Sequence, residues 1–396
     1  MPGKIIYSCP FVPAEWIEAH GFQPSRVAPE RYQKAAYQGA CAYASAFADL
    51  VETTAADACI LTTMCDQMRR MYDTIPQSVD KPVFLMNVPH TWETPGSQSM
   101  YLDEILRLGR FLERLGGEHP TDEHLADVMR RYNTARERLR GMRGTVSPRR
   151  YSETIRGFNA NPSIGFISAE CGKTFSGDIN YPSNAECSRQ RTYRSMGSEA
   201  LTYKAPFDTI RRRLSTQGKR IKFTEKFKPH IPVAPKSIPE SFPDAVFKPG
   251  GIPVAIVGSP LMATHMDIFD LVERHGGYIA LDATETGERG LPSAFDRRRL
   301  AEEPLSVLVD TYFTSIPDAA RRPNSLLYQW LSREIESRGI RALIFVRYVW
   351  CDIWHAEAQR MKEWFGLPML DLDITGESND LSRNTTRIQA FMEMLK

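Results

Sequence analysis

The stretch ADACILTTMCDQMRRMYD, residues 56–73, decides the fold. Residues 56–65 form an apolar run with Ile and Thr, bounded by polar chain, and read as a buried strand. Cys65-Asp66 then opens a segment in which Met68, Met71 and Tyr72 recur at helical spacing. A strand apolar on both faces belongs to a parallel sheet covered by helices. The same order returns in RALIFVRYVWCDIW, residues 341–354, as an apolar strand, Cys351-Asp352 and a second helix.

Outward from these two stretches the pattern repeats. Strands are expected at 4–9 and 82–88 in the first part, and at 252–258, 278–283, 341–350 and 368–374 in the last. Pro13 opens a short helix through Trp16 and Ile17, and residues 31–52 are Ala-rich and helical. Tyr101, Ile105, Leu108, Leu112 and Leu115 mark an amphipathic helix ended by Gly116-Gly117. Leu125, Val128, Met129, Tyr132 and Leu139 mark the next, with Thr121 as its N-cap. Further helices are expected near 263–275, 324–338, 353–365 and 382–395. Strands interleaved with helices of this length predict an α/β fold with two Rossmann-like parallel-sheet domains and a helical or irregular insert. The expected boundaries are 1–145, 146–245 and 246–396, with the Pro-rich stretch 229–253 as linker.

The chain has 396 residues, enough for two or three domains. Apolar residues make up 42% and charged residues 25%, values of an ordinary globular protein, which excludes a disordered or fibrous chain. No apolar run approaches the ~20 residues of a membrane helix. The N-terminus has no long apolar core after its single Lys, so no signal peptide is expected and a cytoplasmic location is. Net charge is +2, yet residues 130–228 hold 22 Lys and Arg against 8 Asp and Glu. That excess is either a solvated face or a contact for an anionic, phosphate-bearing partner. It lacks regularly interleaved aromatics, so no nucleic-acid binding is expected.

Seven cysteines, with no CxxC pair, exclude zinc ribbons and thioredoxin motifs and do not suggest a disulfide scaffold. Cys9, Cys65 and Cys351 each end a strand. Ligands of open parallel sheets bind outside the carboxyl ends of strands, and a following helix N-terminus favours a thiolate there. The repeat of strand, Cys, Asp and helix suggests two domains facing each other across one site, which Cys41 could complete. Thiolate-only ligation would suit an iron–sulfur cluster or zinc. Cys59, mid-strand, reads as an inert core residue; Cys171 and Cys187 lie in an irregular segment and carry no reading.

The chain resembles the 2-hydroxyacyl-CoA dehydratase and benzoyl-CoA reductase family. The resemblance rests on Tyr7-Ser8-Cys9-Pro10-Phe11-Val12-Pro13-Ala14-Glu15, Ala19-His20-Gly21, Cys41-Ala42-Tyr43, and Cys65-Asp66 with Arg69-Arg70-Met71-Tyr72-Asp73. It continues in Asn87-Val88-Pro89, Val257-Gly258-Ser259-Pro260, Cys351-Asp352 and the ending from Thr385 to Leu395. It covers roughly 1–145 and 250–396. It implies a [4Fe-4S] cluster held by Cys41, Cys65 and Cys351, and not by Cys9, whose strand-end position nevertheless keeps it as a reserve candidate. It further implies an acyl-CoA substrate, a homologous second subunit and an ATP-dependent activator that donates electrons. The implied reaction is elimination of water from a 2-hydroxyacyl thioester through a ketyl radical anion.

For proton transfer the expected residue is Glu15, which starts a helix directly after the Cys9 strand end; the alternative is that it only complements that helix N-terminus. His90 follows another strand end and is a second, weaker candidate. The competing readings are a reductase subunit of the benzoyl-CoA type, a non-catalytic electron-relay partner, and a zinc-bound or metal-free α/β binding protein. Arg211, Arg212 and Arg213 are expected to contact the CoA phosphates or the activator.

Overall fold

The computed structural model describes residues 3–32, 39–162, 250–375 and 380–396. Cys171, Cys187, Arg211–Arg213 and residues 229–249 of the Pro-rich stretch lie outside them.

The first half is β1 (Lys4–Tyr7), α1 (Ala14–Ala19), β2 (Gln23–Arg26), α2 (Ala42–Thr53), β3 (Ala58–Thr62), α3 (Asp66–Ser78) and β4 (Val83–Met86). Three long helices follow: α4 (Pro95–Arg114), α5 (Asp122–Gly141) and α6 (Pro148–Ala160). Their starts are capped as their sequences dictate. Thr94, Thr121 and Ser147 each accept a hydrogen bond from the backbone N–H three residues on. The second half runs β5 (Ile252–Gly258), α7 (Asp267–Arg274), β6 (Gly277–Thr284), α8 (Pro304–Ser315), α9 (Ser325–Ser337), β7 (Ala342–Tyr348), α10 (Asp352–Phe365), β8 (Met369–Ile374) and α11 (Asp380–Met394).

The strands form two four-stranded sheets, ordered β2-β1-β3-β4 and β6-β5-β7-β8, in which every pairing is parallel. This is the expected α/β architecture of two Rossmann-like units. In each sheet the chain reverses direction beside its first strand, so the topological switch points fall between β1 and β3 and between β5 and β7.

Four local features differ from the sequence reading. α2 starts at Ala42, with Cys41 as its N-cap, rather than near residue 31. β2, with sequence QPSR, was not expected as a strand. It pairs with β1 alone at the sheet edge, where Pro24 costs no ladder hydrogen bond on the open side. β7 stops at Tyr348 rather than residue 350, because Trp350 takes a left-handed φ of 72°. α8 was not expected either. Its sequence PLSVLVDTYFTS is apolar nearly all round because it packs against both α4 and α5.

That packing interlocks the two halves. Val307, Leu308, Tyr312 and Phe313 of α8 share a core with Tyr101, Leu108, Met129 and Tyr132 of α4 and α5. A second core joins Ile6, Leu61 and Phe47 to Val254, Ile256 and Ile344 of the other sheet. Buried Arg26 of β2 donates across the halves to the carbonyls of Glu285 (2.5 Å) and Gly290 (2.9 Å), and within its own half to Ser8 (2.9 Å). No helix among the described residues is long and apolar enough to cross a membrane.

Candidate metal centre

The two switch points open onto one cleft. From the first sheet it is lined by Ser8, Cys9 and Pro10 after β1, and by Met64 and Cys65 after β3. From the second it is lined by Ser259 and Pro260 after β5, and by Cys351 after β7. Cys41 and Tyr43 at the start of α2 complete the wall, with Glu285, Asp318 and Trp354. The cavity measures about 70 Å³, room for several waters.

Cys41, Cys65 and Cys351 share one local role: each is the N-cap of a helix, α2, α3 and α10 respectively. The Cys41 Sγ accepts from the Ala44 N–H at 3.4 Å. Backbone N–H groups of Gln67 and Met68 reach Cys65, and that of Trp354 reaches Cys351. These donors and the helix dipoles favour a thiolate. The Cys41 backbone N–H donates to Gln67 Oε1 at 3.0 Å, which ties the first cap to the helix of the second. Ser259 Oγ donates to Cys351 Sγ at 3.8 Å.

The geometry at two of these strand ends depends on unusual backbone. Gly258, at the end of β5, has φ +134°, and a Cβ there would stand 2.0 Å from the Val346 carbonyl oxygen. Only glycine lets β5 lie that close to β7. Trp350 holds its left-handed φ immediately before Cys351 and is 61% exposed.

Burial outweighs the helix ends electrostatically. It pushes the Cys41 thiol up to about 12, and it raises Cys65 and Cys351 above the ordinary thiol range. Cys41 and Cys351 raise Cys65 further, so the three sulfurs feel one another. Three thiolates in so apolar a place require a strong cation to compensate them. A thiolate-only donor set suits zinc or an iron–sulfur group.

Cys9 lines the same cleft but answers to different neighbours. Burial pushes its thiol up to about 12, Glu285 raises it further, and a Thr62 side-chain hydrogen bond lowers it. Cys59 is fully buried in β3, within the core. His90 is exposed and does not line the cleft; its Nε2 lies 3.2 Å from the Thr63 carbonyl.

Glu15 does not line the cleft either. It does follow the β1 end on α1, as its sequence position requires, but its side chain turns into the interface of α1 with α5 and α8. There it is fully buried and pairs with Arg136 Nη2 at 2.6 Å, and the Tyr312 hydroxyl donates to its Oε2 at 2.6 Å. A carboxylate at full burial takes the available guanidinium rather than an apolar cleft.

The cleft instead holds a carboxyl pair that the sequence did not single out, Glu285 and Asp318. Asp318 is fixed as an acceptor by Arg289 and by the Ala320 N–H at 2.8 Å. Arg289 is itself fully buried and donates to the carbonyls of Ala283, Pro317 and Gly258 at 3.0–3.1 Å. Recession from solvent, then the neighbouring Asp318 charge, drive the Glu285 carboxyl upward, to about 7, against Arg26 and Arg289. The two carboxyls sit in unlike environments, Asp318 held by Arg289 and Glu285 receded from solvent.

A doubly wound α/β chain with ligand-type thiols at paired switch points is the class of protein this fold and cleft define. The family model for the 2-hydroxyglutaryl-CoA dehydratase D-component matches residues 9–174 and 209–395. The chain belongs to that family. It is also similar to the Escherichia coli (strain K12) protein named "Putative dehydratase subunit YjiM", at 20% identity over 342 residues, 84% of this chain and 73% of that protein.

Proposed function

We propose that this chain is the iron–sulfur subunit of a 2-hydroxyacyl-CoA dehydratase, with Cys41, Cys65 and Cys351 as ligands of a [4Fe-4S] cluster. The observation that carries the reading is the convergence of three cysteines at helix N-cap positions, from both halves, on the cleft between the switch points. When bound, such a cluster supplies a low-potential electron and an iron position open to a hydroxyl or carbonyl oxygen.

The rest is the work of this chain. The N-termini of α2, α3 and α10 stabilise the thiolates, and Ser259 donates to the Cys351 sulfur. Phe11, Tyr348 and Trp354 line the cleft and keep water from it. Glu285 holds a proton on its carboxyl oxygen near neutral pH and exchanges it with the substrate carbon or the leaving hydroxyl. Glu15, through Arg136 and Tyr312, anchors α1 and so positions the Cys9 strand end.

The partners that go with this reading are an acyl-CoA thioester, a homologous second subunit and an ATP-dependent activator, all in the cytoplasm. The basic stretch 130–228 then serves the CoA phosphates or the activator. The narrowness of the cleft favours one variant, in which this chain relays the electron and the partner subunit takes the thioester. A reduction of the benzoyl-CoA type is separated from dehydration by product analysis with and without stoichiometric reductant.

The test is anaerobic purification with iron and sulfide analysis. About four iron and four sulfide per chain, lost in Cys65→Ala and Cys351→Ala, support the cluster. No iron or sulfide under strict anoxia, or zinc in their place that is lost in Cys65→Ala and Cys351→Ala, overturns it. Glu285→Gln in the cluster-loaded complex separates the variants: lost turnover with retained iron puts the chemistry here, and unchanged turnover puts it on the partner.

A further inference from the structure

A second group of metal-type ligands lies away from the cysteine cleft, where α1, α4 and the turn into α5 meet. One ligating atom each from His20, Glu113 and His119 falls within 4.8 Å of the other two. His20 ends α1, Glu113 is in the last turn of α4, and His119 is in the connection to α5.

His20 supplies the observation that points to a ligand. It is fully buried, and its Nε2 has no hydrogen-bond partner. Its Nδ1 lies 2.7 Å from the Trp16 carbonyl oxygen, which can only accept. The proton therefore resides on Nδ1, and Nε2 presents a lone pair. A backbone carbonyl that fixes one ring nitrogen and bares the other is the arrangement of metal-bound imidazoles. An unpaired buried nitrogen is otherwise a desolvation cost with nothing to offset it. Gly109 of α4 belongs to the same construction, since a Cβ there would stand 3.2 Å from His20 Nε2.

The other two ligands reach toward solvent. His119 and Glu113 are 55% and 38% exposed and are joined by a hydrogen bond of 2.8 Å from Nδ1 to Oε1. The His20 and His119 rings stand edge to face with centroids 6.0 Å apart. The group borders a surface groove of about 870 Å³ that also carries Glu118 and His124, so solvent reaches it.

We propose that His20, Glu113 and His119 bind one zinc-class transition-metal ion. Two imidazoles and a carboxylate suit zinc and its neighbours rather than magnesium or calcium. Three protein ligands leave a fourth position for water from the groove. The ion clips the end of α1 to the end of α4.

Cobalt(II) titration of the full chain tests this. Cobalt on imidazole and carboxylate gives visible absorption without the intense near-ultraviolet band of a thiolate-bound ion, so the cysteine cleft is read separately. One equivalent of thiolate-free cobalt is expected in the wild type. Affinity at this site is expected to fall by more than about 100-fold in His119→Ala, beyond the loss of an outer-shell partner. His119 is half exposed, so this variant folds; His124→Ala, in the same groove, is expected to bind as the wild type does. No thiolate-free cobalt in the wild type, equal binding in His119→Ala, or an equal loss in His124→Ala overturns the assignment.

Discussion

Glu15→Gln isolates what the buried ion pair does. Glu15 is 0% exposed and Arg136 3%. Arg136 sits among the rings of Tyr132, Phe295 and Tyr312, with centroids 5.5–5.8 Å away. Its Nη2 lies 2.6 Å from Glu15 Oε1 in an ion pair and donates, at 2.9 Å, to the Tyr312 hydroxyl. Burial alone would lower its pKa; Glu15, then Tyr312, reverse that and hold the guanidinium charged. Without the carboxylate, the charge is left buried against aromatic faces that recover only ~1–2 kcal/mol. The expected loss of unfolding free energy is about 3–5 kcal/mol, the cost of breaking a buried pair from one side. Urea denaturation followed by circular dichroism measures it. Glu15→Gln combined with Arg136→Met should recover most of the loss, because no uncompensated charge remains. Iron content should not change in either. A loss below about 1 kcal/mol, or a double variant no more stable than the single, would refute the reasoning. Restored stability without restored turnover would return Glu15 to the chemistry.

Acid stability should have two limbs. Burial pushes His265 down to about 4, so the folded chain keeps it neutral while the unfolded chain protonates it near 6.5. Stability is therefore full above pH 6.5 and falls by about 3 kcal/mol as pH drops from 6.5 to 4; His265→Gln should flatten that window in a denaturation series. Glu288 makes the second limb. Burial would raise it, but Arg143 and a bidentate Arg338 at 2.8 and 3.0 Å hold it down to about 2. Its contribution, again about 3 kcal/mol, is present above pH 4.5 and lost between 4.5 and 2; Glu288→Gln should remove the pH dependence there. Gly258→Ala should cost at least about 2 kcal/mol and reduce iron retention, since the Cβ meets the Val346 carbonyl; a neutral result would mean β5 and β7 separate freely. Ser259→Ala removes the hydrogen bond to the Cys351 sulfur and should lower the potential of the bound cluster in an electron-resonance redox titration; an unchanged potential would leave Ser259 without that role.

Much of the fold was legible because its buried strands are continuous apolar runs and its long helices carry one clean apolar face. What escaped has physical causes. QPSR has no strand propensity, and β2 exists because an edge position tolerates Pro24 and because β1 supplies its partner. α8 has no polar face for periodicity to reveal, since both its sides are packed. Cys65 and Cys351 stood out through the repeated strand, Cys, Asp and helix, a local signal. Glu285 and Asp318 have no such signal. They lie 33 positions apart in irregular turns, and only Arg289 and the sheet order bring them together. Glu15 shows the opposite limit: its element was readable, but the direction of its side chain depends on α5 and α8, far away in sequence.

The two halves explain why the cleft needs no compact motif. Each sheet has the same strand order, so three positions recur: after the first strand, after the second, and after the third. In the first half these hold Cys9, Cys41 and Cys65; in the second, Ser259, Glu285 and Cys351. All six line the one cleft. The third position is a cysteine at a helix N-cap in both halves, which is why it reads as a repeat. The first is a thiol in one half and a hydroxyl in the other, each followed by proline. The second is Cys41 in one half and Glu285 in the other. Two equivalent frames thus carry unlike side chains at like places, with thiols gathered mainly on one side and a carboxyl on the other. Under the proposed function this arrangement separates ligation from proton handling. Substitutions at these six positions should accordingly change metal retention and proton transfer independently, whereas Arg26 and Arg289, which hold the frames to one another and to their loops, should affect both together.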